Sequence, residues 1–141
     1  MRLDGEWFNE LGSKMILKVK GRNITGTYHT AVGDASGIYE LVGRTDTNAG
    51  ATRNVGFVVS WENDKKGSSN AVTAWSGELQ MDANGDQVIV TTWLLTEETD
   101  PIDNWKSTII GKDVFRRTTP TAASARRARK LRRPSHKPRR K

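Results

Sequence analysis

Polar side chains alternate with tryptophans and other large apolar residues along several segments of the chain. Residues two apart on a β-strand lie on one face of the sheet, so this spacing brings them together. A core built only for stability contains few polar groups, because each costs free energy when it is buried without a partner. Aromatic walls with a few convergent donors and acceptors are typical of a small-molecule pocket. The positions that share a face are Trp7, Asn9, Leu11 and Ser13; Tyr28 and Thr30; Phe57, Val59 and Trp61; Thr73 and Trp75; Thr91, Trp93 and Leu95; Asp113 and Phe115.

Each of these positions also has an ordinary structural explanation when it is considered alone. Buried Trp and Tyr often fill the interior of a barrel, and they usually find a partner for their polar atom. A strand Ser or Thr is commonly satisfied by nearby backbone. It is the combination of these residues on one face that favours a binding pocket.

Catalytic arrangements are missing from the sequence. The two histidines are His29, whose parity is opposite to that of Tyr28, and His136 near the C-terminus. They form no metal cluster and provide no base for a Ser nucleophile, and no Gly-rich phosphate loop is present. The chain has no Cys, which excludes disulfides, thiol nucleophiles and thiolate metal sites. Asp113 alone is not an acid–base pair, so we expect a binding protein that is not an enzyme and uses no metal or cofactor.

The segments that carry these side chains predict eight β-strands and no convincing helix before residue 119. Turn signals such as Gly21-Arg22-Asn23 and Asn84-Gly85 separate consecutive strands. Short sequential connections favour an antiparallel barrel or a sandwich, and periodicity does not separate the two. Closure removes exposed sheet edges and therefore favours the barrel. The predicted strands are 6–9, 13–20, 24–30, 38–45, 55–61, 71–80, 87–96 and 106–117.

The net charge of +7 on 141 residues is divided unevenly along the chain. Residues 1–119 hold 13 basic and 16 acidic residues, a net charge of −3, whereas residues 120–141 hold ten basic and no acidic residues. This predicts one domain over 1–119 and a basic tail over 120–141 that is disordered when free, although 122–130 could form a short Ala/Arg helix. No stretch approaches the roughly 18 apolar residues of a membrane-spanning helix. No signal peptide is visible after Met1.

Six sequence blocks resemble the avidin/streptavidin family of biotin-binding proteins, in order and with family-like spacing over about residues 4–117. The resemblance implies an eight-stranded antiparallel up-and-down barrel. It also implies secretion and high-affinity, non-covalent binding of biotin, which is sequestered without chemical conversion. The blocks are Trp7-Phe8-Asn9-Glu10-Leu11-Gly12-Ser13, Ile24-Thr25-Gly26-Thr27-Tyr28, Ala31-Val32-Gly33, Thr73-Ala74-Trp75-Ser76-Gly77, Thr92-Trp93-Leu94-Leu95-Thr96 and Asn104-Trp105-Lys106-Ser107-Thr108.

The same resemblance implies roles for the polar residues of the pocket. Asn9, Ser13 and Tyr28 would donate to the ureido oxygen of biotin, which three donors polarise toward an oxyanion. Thr30 and Asp113 would accept from the two ureido N–H groups, a role that suits an ionised carboxylate.

The remaining expected contacts are with the sulfur, the apolar parts and the carboxylate of biotin. Trp105 would reach into the pocket of a neighbouring subunit, and the backbone N–H of Asp34 would meet the valeryl carboxylate. The other expected lining residues are Thr73 at the ring sulfur, with Trp61, Trp75, Trp93 and Leu95 around the bicycle and chain.

Several residues depart from the family pattern. Ala71 stands where streptavidin has a Ser that contacts the carboxylate, and Ser69 or Asn70 could substitute for it. Asp34 stands where streptavidin has Asn, which places a negative side chain near a negative ligand group. Lys112 would meet its own copy across a family dimer interface, and the two like charges would repel each other. The presence of Trp105, in contrast, favours the main contact of the tetramer. A homotetramer is therefore favoured, with a dimer as the alternative.

The basic tail has no counterpart in the family pattern. It could be a solubilising extension, a segment that binds nucleic acid or an anionic surface, or a segment that contacts the acidic barrel of another subunit. The alternatives to biotin binding are an oligomeric scaffold for a polyanionic partner and a barrel of this family with a different small ligand.

Overall fold

Eight antiparallel strands follow one another in chain order and close into a barrel in the computed structural model of the chain. The structure describes residues 1–30, 37–47, 50, 52–64, 69–131 and 134–135. β8 pairs with β7 along its length and with β1 at Phe8 and Arg116, which closes the barrel. The prediction of a barrel over a sandwich is confirmed. The strands are β1 (Gly5–Phe8), β2 (Lys14–Lys20), β3 (Asn23–His29), β4 (Ile38–Thr45), β5 (Arg53–Ser60), β6 (Ala71–Met81), β7 (Gln87–Glu97) and β8 (Thr108–Arg116).

The predicted strands agree with the observed ones to within two residues at each end. The connection between β7 and β8 contains a 3-10 helix, Pro101–Lys106, where the sequence predicts only an acidic loop. Pro101 suits the first turn of a helix because its φ is fixed and its missing N–H has no partner to lose there. β8 consequently begins at Thr108 and not at residue 106.

The alternating pattern places its predicted inner face inside the barrel. Every residue of that face is buried, and the most exposed among them is Thr30 at 8%. Trp75 lies between Tyr28 and Phe57, with ring centroids 5.2 and 4.9 Å away and nearly parallel rings. The strand periodicity therefore determines which side chains form the interior.

One end of the barrel is filled by its own side chains. The Trp7 indole donates to the carbonyl of Leu3 at 2.8 Å, and the Arg117 guanidinium lies 3.7 Å from the Trp7 ring centroid. Arg117 also donates to the carbonyls of Asp4 and Glu6. Because side chains close this end, we infer that a ligand would enter at the opposite end, where β1 meets β2, β5 meets β6 and β7 meets β8, and we call it the open end.

A helix, α1 (Ala122–Leu131), follows the barrel. The Thr121 hydroxyl accepts from the N–H of Ser124 at 3.0 Å, which caps its first turn. Residues 118–120 and Ser124 line a cleft against residues 8–10 of the barrel. The helix lies where the Ala/Arg pattern allows one, while disorder of the free tail stays a prediction. Neither helix in the described residues has the length and hydropathy needed to cross a membrane.

Candidate ligand-binding site

The turn between β1 and β2 fixes the orientation of Asn9. Its side-chain oxygen accepts from the backbone N–H groups of Leu11 and Ser13, at 3.0 and 2.9 Å. Gly12 allows this tight turn with a φ of +92°, a conformation that residues with a Cβ rarely adopt. Since the oxygen is occupied, the amide N–H₂ is the edge that faces the interior, 3.3 Å from the Tyr28 hydroxyl.

The hydroxyls of Tyr28 and Ser13 lie beside the Asn9 amide. The Tyr28 hydroxyl is fully buried, and this burial, followed by the negative charge of Asp113, raises its pKa far above the ordinary value. The hydroxyls of Ser13 and Ser135 face Tyr28 and partly offset that rise in pKa, but neither makes a hydrogen bond of normal geometry within the described residues. Tyr28 therefore keeps its proton and can act as a donor, as can Ser13.

Asp113 on β8 supplies the acceptor of the site. The Trp75 indole donates to its Oδ2 at 2.9 Å, whereas its Oδ1 is buried with no hydrogen-bond partner in the described part of the chain. Burial, followed by the negative charge of Glu10, raises the pKa of Asp113 to about 7. One carboxylate oxygen is thus held in place by an indole, whereas the other lies near the Ser135 hydroxyl without a hydrogen bond of normal geometry.

Tryptophans form the walls around these polar atoms. The Trp61 indole donates to the Thr73 hydroxyl at 2.8 Å, and its ring meets Tyr28 edge-on with centroids 5.4 Å apart. The Trp93 ring lies against Gly111 of β8 so closely that a Cβ on this glycine would overlap the indole carbons. The walls therefore depend on a glycine that the sequence pattern did not single out.

The structure brings ten of the twelve predicted site residues to the interior. Trp105 is 79% exposed on the 3-10 helix, so its predicted contact with a neighbouring pocket stays a prediction. Asp34 lies outside the described residues. The ten interior residues are Asn9, Ser13, Tyr28, Thr30, Trp61, Thr73, Trp75, Trp93, Leu95 and Asp113.

Two further residues reach the site without having been predicted. Tyr39 of β4 is buried with its ring centroid 5.0 Å from that of Trp61, and its alternation with Leu41 was the signal for it. Ser135 is buried beside Thr73 although it belongs to the tail, and no local pattern marks it.

Ser69 and Asn70, the two residues that could replace the missing donor to the ligand carboxylate, differ in their surroundings. Ser69 is buried, and its backbone N–H donates to the carbonyl of Trp61 at 2.9 Å. The Asn70 amide is directed outward and donates to Glu98 at 2.9 Å. Ser69 is therefore the better placed of the two.

The chemistry of the site is that of recognition. Donors from Asn9, Ser13 and Tyr28 face an interior that also holds the acceptor Asp113, and aromatic rings surround them. Such a set complements a ligand group that has a carbonyl oxygen and N–H groups of its own. The described residues include no group of His, Asp or Glu side chains arranged to hold a metal ion.

The chain is thus a closed antiparallel barrel whose interior combines aromatic rings with buried polar groups. The Avidin family model matches residues 1–118, and the chain therefore belongs to the Avidin family. Chicken (Gallus gallus) avidin is 37% identical over 122 residues, covering 82% of this chain and 77% of avidin. The chicken avidin-related proteins 4/5 and 7 are 36% and 35% identical over 121 residues, with the same coverage. Proteins of this family bind biotin without converting it, so the chain is not an enzyme.

Proposed function

We propose that the barrel interior binds biotin non-covalently and with high affinity, which sequesters biotin without chemical change. The observation that carries this proposal is a group of buried polar atoms that lack partners within the described residues. Buried polar atoms are normally hydrogen-bonded, so a concentration of exceptions points to a missing partner. Three of the six exceptions belong to barrel residues at the pocket: Ser13 Oγ, Trp93 Nε1 and Asp113 Oδ1.

The ureido ring of biotin offers the matching set of atoms. Its oxygen would accept from Asn9, Ser13 and Tyr28, whose donor roles follow from the fixed Asn9 amide and the raised pKa of Tyr28. Its N–H groups would donate to Asp113 Oδ1 and to Thr30. The other proposed contacts are Thr73 with the ring sulfur, Trp61, Trp75, Trp93 and Leu95 with the apolar bicycle and chain, and Ser69 and the Asp34 N–H with the carboxylate.

Titration calorimetry of the full chain with biotin tests this function. We expect one biotin per chain and a raised thermal midpoint, whereas valeric acid, which lacks the ureido ring, should give neither. Absence of heat and of a thermal shift with biotin at micromolar concentration would contradict the proposal and favour a different small ligand.

Ser13→Ala gives a sharper test because its effects on binding and on stability should differ. Loss of a hydrogen bond to a polarised ligand oxygen costs roughly 1.5–3 kcal/mol, which is about one to two decades in affinity. The ligand-free protein should keep its thermal midpoint, since the Ser13 hydroxyl has no partner in the described residues to lose. Ser60→Ala on the exposed face of β5 is the matched control. An unchanged biotin affinity for Ser13→Ala would refute the assigned donor role.

We propose that the barrels form a homo-oligomer, with a tetramer favoured over a dimer. A row of apolar side chains on the outer face of the barrel supports this oligomer. The row crosses five adjacent strands, β4 to β8, and consists of the successively paired residues Val42, Val58, Ala74, Leu94 and Ile110. Such a continuous exposed apolar surface is typical of an interface.

Light scattering of Leu94→Lys tests the oligomer. We expect a smaller species than the parent protein, because the new charge would be desolvated in the middle of the apolar row. Met81→Lys, at the exposed end of β6, is the control and should leave the assembly intact. A Leu94→Lys protein with the parental mass would exclude this face as the interface.

The exposed cations of α1 favour a second, weaker interaction with a polyanion through residues 120–141. Arg126, Arg127, Arg129 and Lys130 are all exposed. Binding of this kind decreases steeply with salt. If a variant with these four residues changed to Gln is retained on DNA at low salt as strongly as the parent, this interaction is refuted.

We also propose that the protein is secreted, as the resemblance to the avidin/streptavidin family suggests. Comparison of culture medium with cell lysate tests this, and recovery of the protein in the lysate alone would contradict it.

A further inference from the structure

We propose that the barrel pocket also takes a peptide ligand, the Pro134–Ser135 segment of the chain's own tail, and that this segment competes with small ligands for the site. Ser135 is fully buried, and its carbonyl accepts from the Thr73 hydroxyl at 2.5 Å. Thr73 also accepts from the Trp61 indole, so the tail is joined to the wall of the pocket by a chain of two hydrogen bonds. The competition with biotin rests on the proposed function, whereas the occupancy by the tail does not.

The Ser135 side chain lies among the same groups that are proposed to hold the ureido ring. Its hydroxyl is close enough to Tyr28 and Asp113 to lower the pKa of both side chains, against the stronger effect of burial. The Ser135 carbonyl accepts from Thr73, whereas its hydroxyl makes no hydrogen bond of normal geometry within the described residues. Ser135 therefore meets part of what the pocket requires, and a ligand with more matching atoms would displace it.

The chain has enough length to return to the open end of the barrel. β8 ends at Arg116, and residues 118–120 and Ser124 then run beside residues 8–10 of the barrel. The ten residues of α1 rise about 15 Å, and Ala125 on this helix is buried. The four residue-to-residue steps from Leu131 to Ser135 can span up to about 14 Å.

Charge complementarity favours this intramolecular contact. Residues 1–119 carry a net charge of −3, and residues 120–141 carry ten positive charges with no negative ones. The connection after β7 is itself acidic, with Glu98, Asp100 and Asp103 against Lys106. A covalent tether also holds the tail at a high effective concentration near the pocket.

The consequence is a reduced apparent affinity for any small ligand. When a fraction of the molecules has the site open, the apparent dissociation constant rises by the inverse of that fraction. The tail would thus weaken binding and would be released as ligand saturates the site.

Thiol labelling tests the occupancy directly, because the chain has no Cys of its own. In the full chain without ligand, we expect the thiol of Ser135→Cys to react with a maleimide at least about tenfold more slowly than that of Ala123→Cys on the exposed side of α1. Equal labelling rates in the ligand-free proteins would overturn the proposal. This arm does not depend on whether biotin binds.

Saturation with biotin tests the competition. The reaction of Ser135→Cys should then approach the rate of Ala123→Cys. If biotin binds by calorimetry and Ser135→Cys stays protected, the tail does not compete and that part is refuted. If Ser135→Cys is protected and no heat accompanies biotin addition, biotin binding fails while tail occupancy stands.

A charge variant provides the kinetic counterpart. Ser135→Glu would place a carboxylate beside Asp113, so we expect biotin to associate about tenfold faster than with the parent chain. Ala123→Glu carries the same charge change at an exposed position and should leave the rate unchanged. Equal rates for Ser135→Glu and Ala123→Glu would contradict competition by the tail.

Discussion

Protonation of Asp113 should control biotin affinity around neutral pH. Only the ionised carboxylate can accept at both oxygens, and Oδ2 is already taken by the Trp75 indole at 2.9 Å. Burial and the neighbouring Glu10 raise the pKa of Asp113 to about 7 in the ligand-free protein. Biotin must therefore bind at the expense of a proton at lower pH. Between about pH 8 and about pH 5, this linkage weakens binding by about 100-fold, one decade for each unit below the pKa.

Calorimetry across this pH range measures the effect. Biotin methyl ester is the better probe, because it has no carboxylate of its own to titrate. Asp113→Asn should bind about one to two decades more weakly than the parent at high pH, since a charge-assisted hydrogen bond is lost, and its affinity should vary little with pH. Asp86→Asn, in the exposed turn between β6 and β7, is the matched control and should keep the full pH dependence. A parent affinity that stays level over this range would refute the acceptor role of Asp113.

The stability of the ligand-free protein should respond to pH in the opposite direction. The folded-state pKa of Asp113 lies above the unfolded value of 3.8, so the folded state holds its proton more tightly. Its contribution to the free energy of unfolding is fully present below the unfolded pKa and is lost as pH rises through about 7. Between those limits, acid should stabilise the empty barrel through this group while it weakens biotin binding. Asp113→Asn should remove both trends together.

Two further substitutions test the packing around the site. Gly111→Ala should push the Trp93 ring aside, which lowers the free energy of unfolding by about 1–3 kcal/mol and weakens biotin binding. Gly56→Ala is the control, because there is room for its Cβ and neither effect is expected. Equal effects of the two substitutions in thermal unfolding would contradict the close approach of Trp93 to Gly111. Arg117→Ala should lower the free energy of unfolding by about 1–3 kcal/mol, because the side chain stacks on Trp7 and bonds backbone carbonyls. Arg116→Ala breaks only an ion pair with Asp82 at the surface and should have a smaller effect. An equal loss of stability for both variants in urea unfolding would refute the stabilising role of Arg117.

Much of the barrel interior could be predicted because strand periodicity is a local property. Thr73 and Trp75 lie on the same face as soon as they lie on one strand, and closure of the sheet then makes that face the interior. The assignment of Asn9 to a donor role came from family resemblance, and the structure adds the physical reason, since two backbone N–H groups occupy its oxygen.

What the sequence did not predict depends on contacts between distant segments. Gly111 has no local signal, because its role arises from a Trp93 ring on the adjacent strand. The apolar row on the outer face depends on the register of five strands, which alternation alone does not set. The 3-10 helix at Pro101–Lys106 is too short for periodicity to distinguish it from a loop.

The tail shows most clearly why charge alone was insufficient to predict its position. Ten positive charges beside a domain of net charge −3 explain attraction to the barrel, but they do not select a point of contact. The selection comes from Ser135, whose carbonyl meets the Thr73 hydroxyl inside the pocket. A site with buried polar atoms that lack partners favours any group able to supply them, whether it belongs to a ligand or to the chain itself. The tail uses the Thr73 hydroxyl in this way, and Ser13 Oγ and Asp113 Oδ1 stay without partners beside it in the described part of the chain, so a ligand that reaches them has the advantage over the tail.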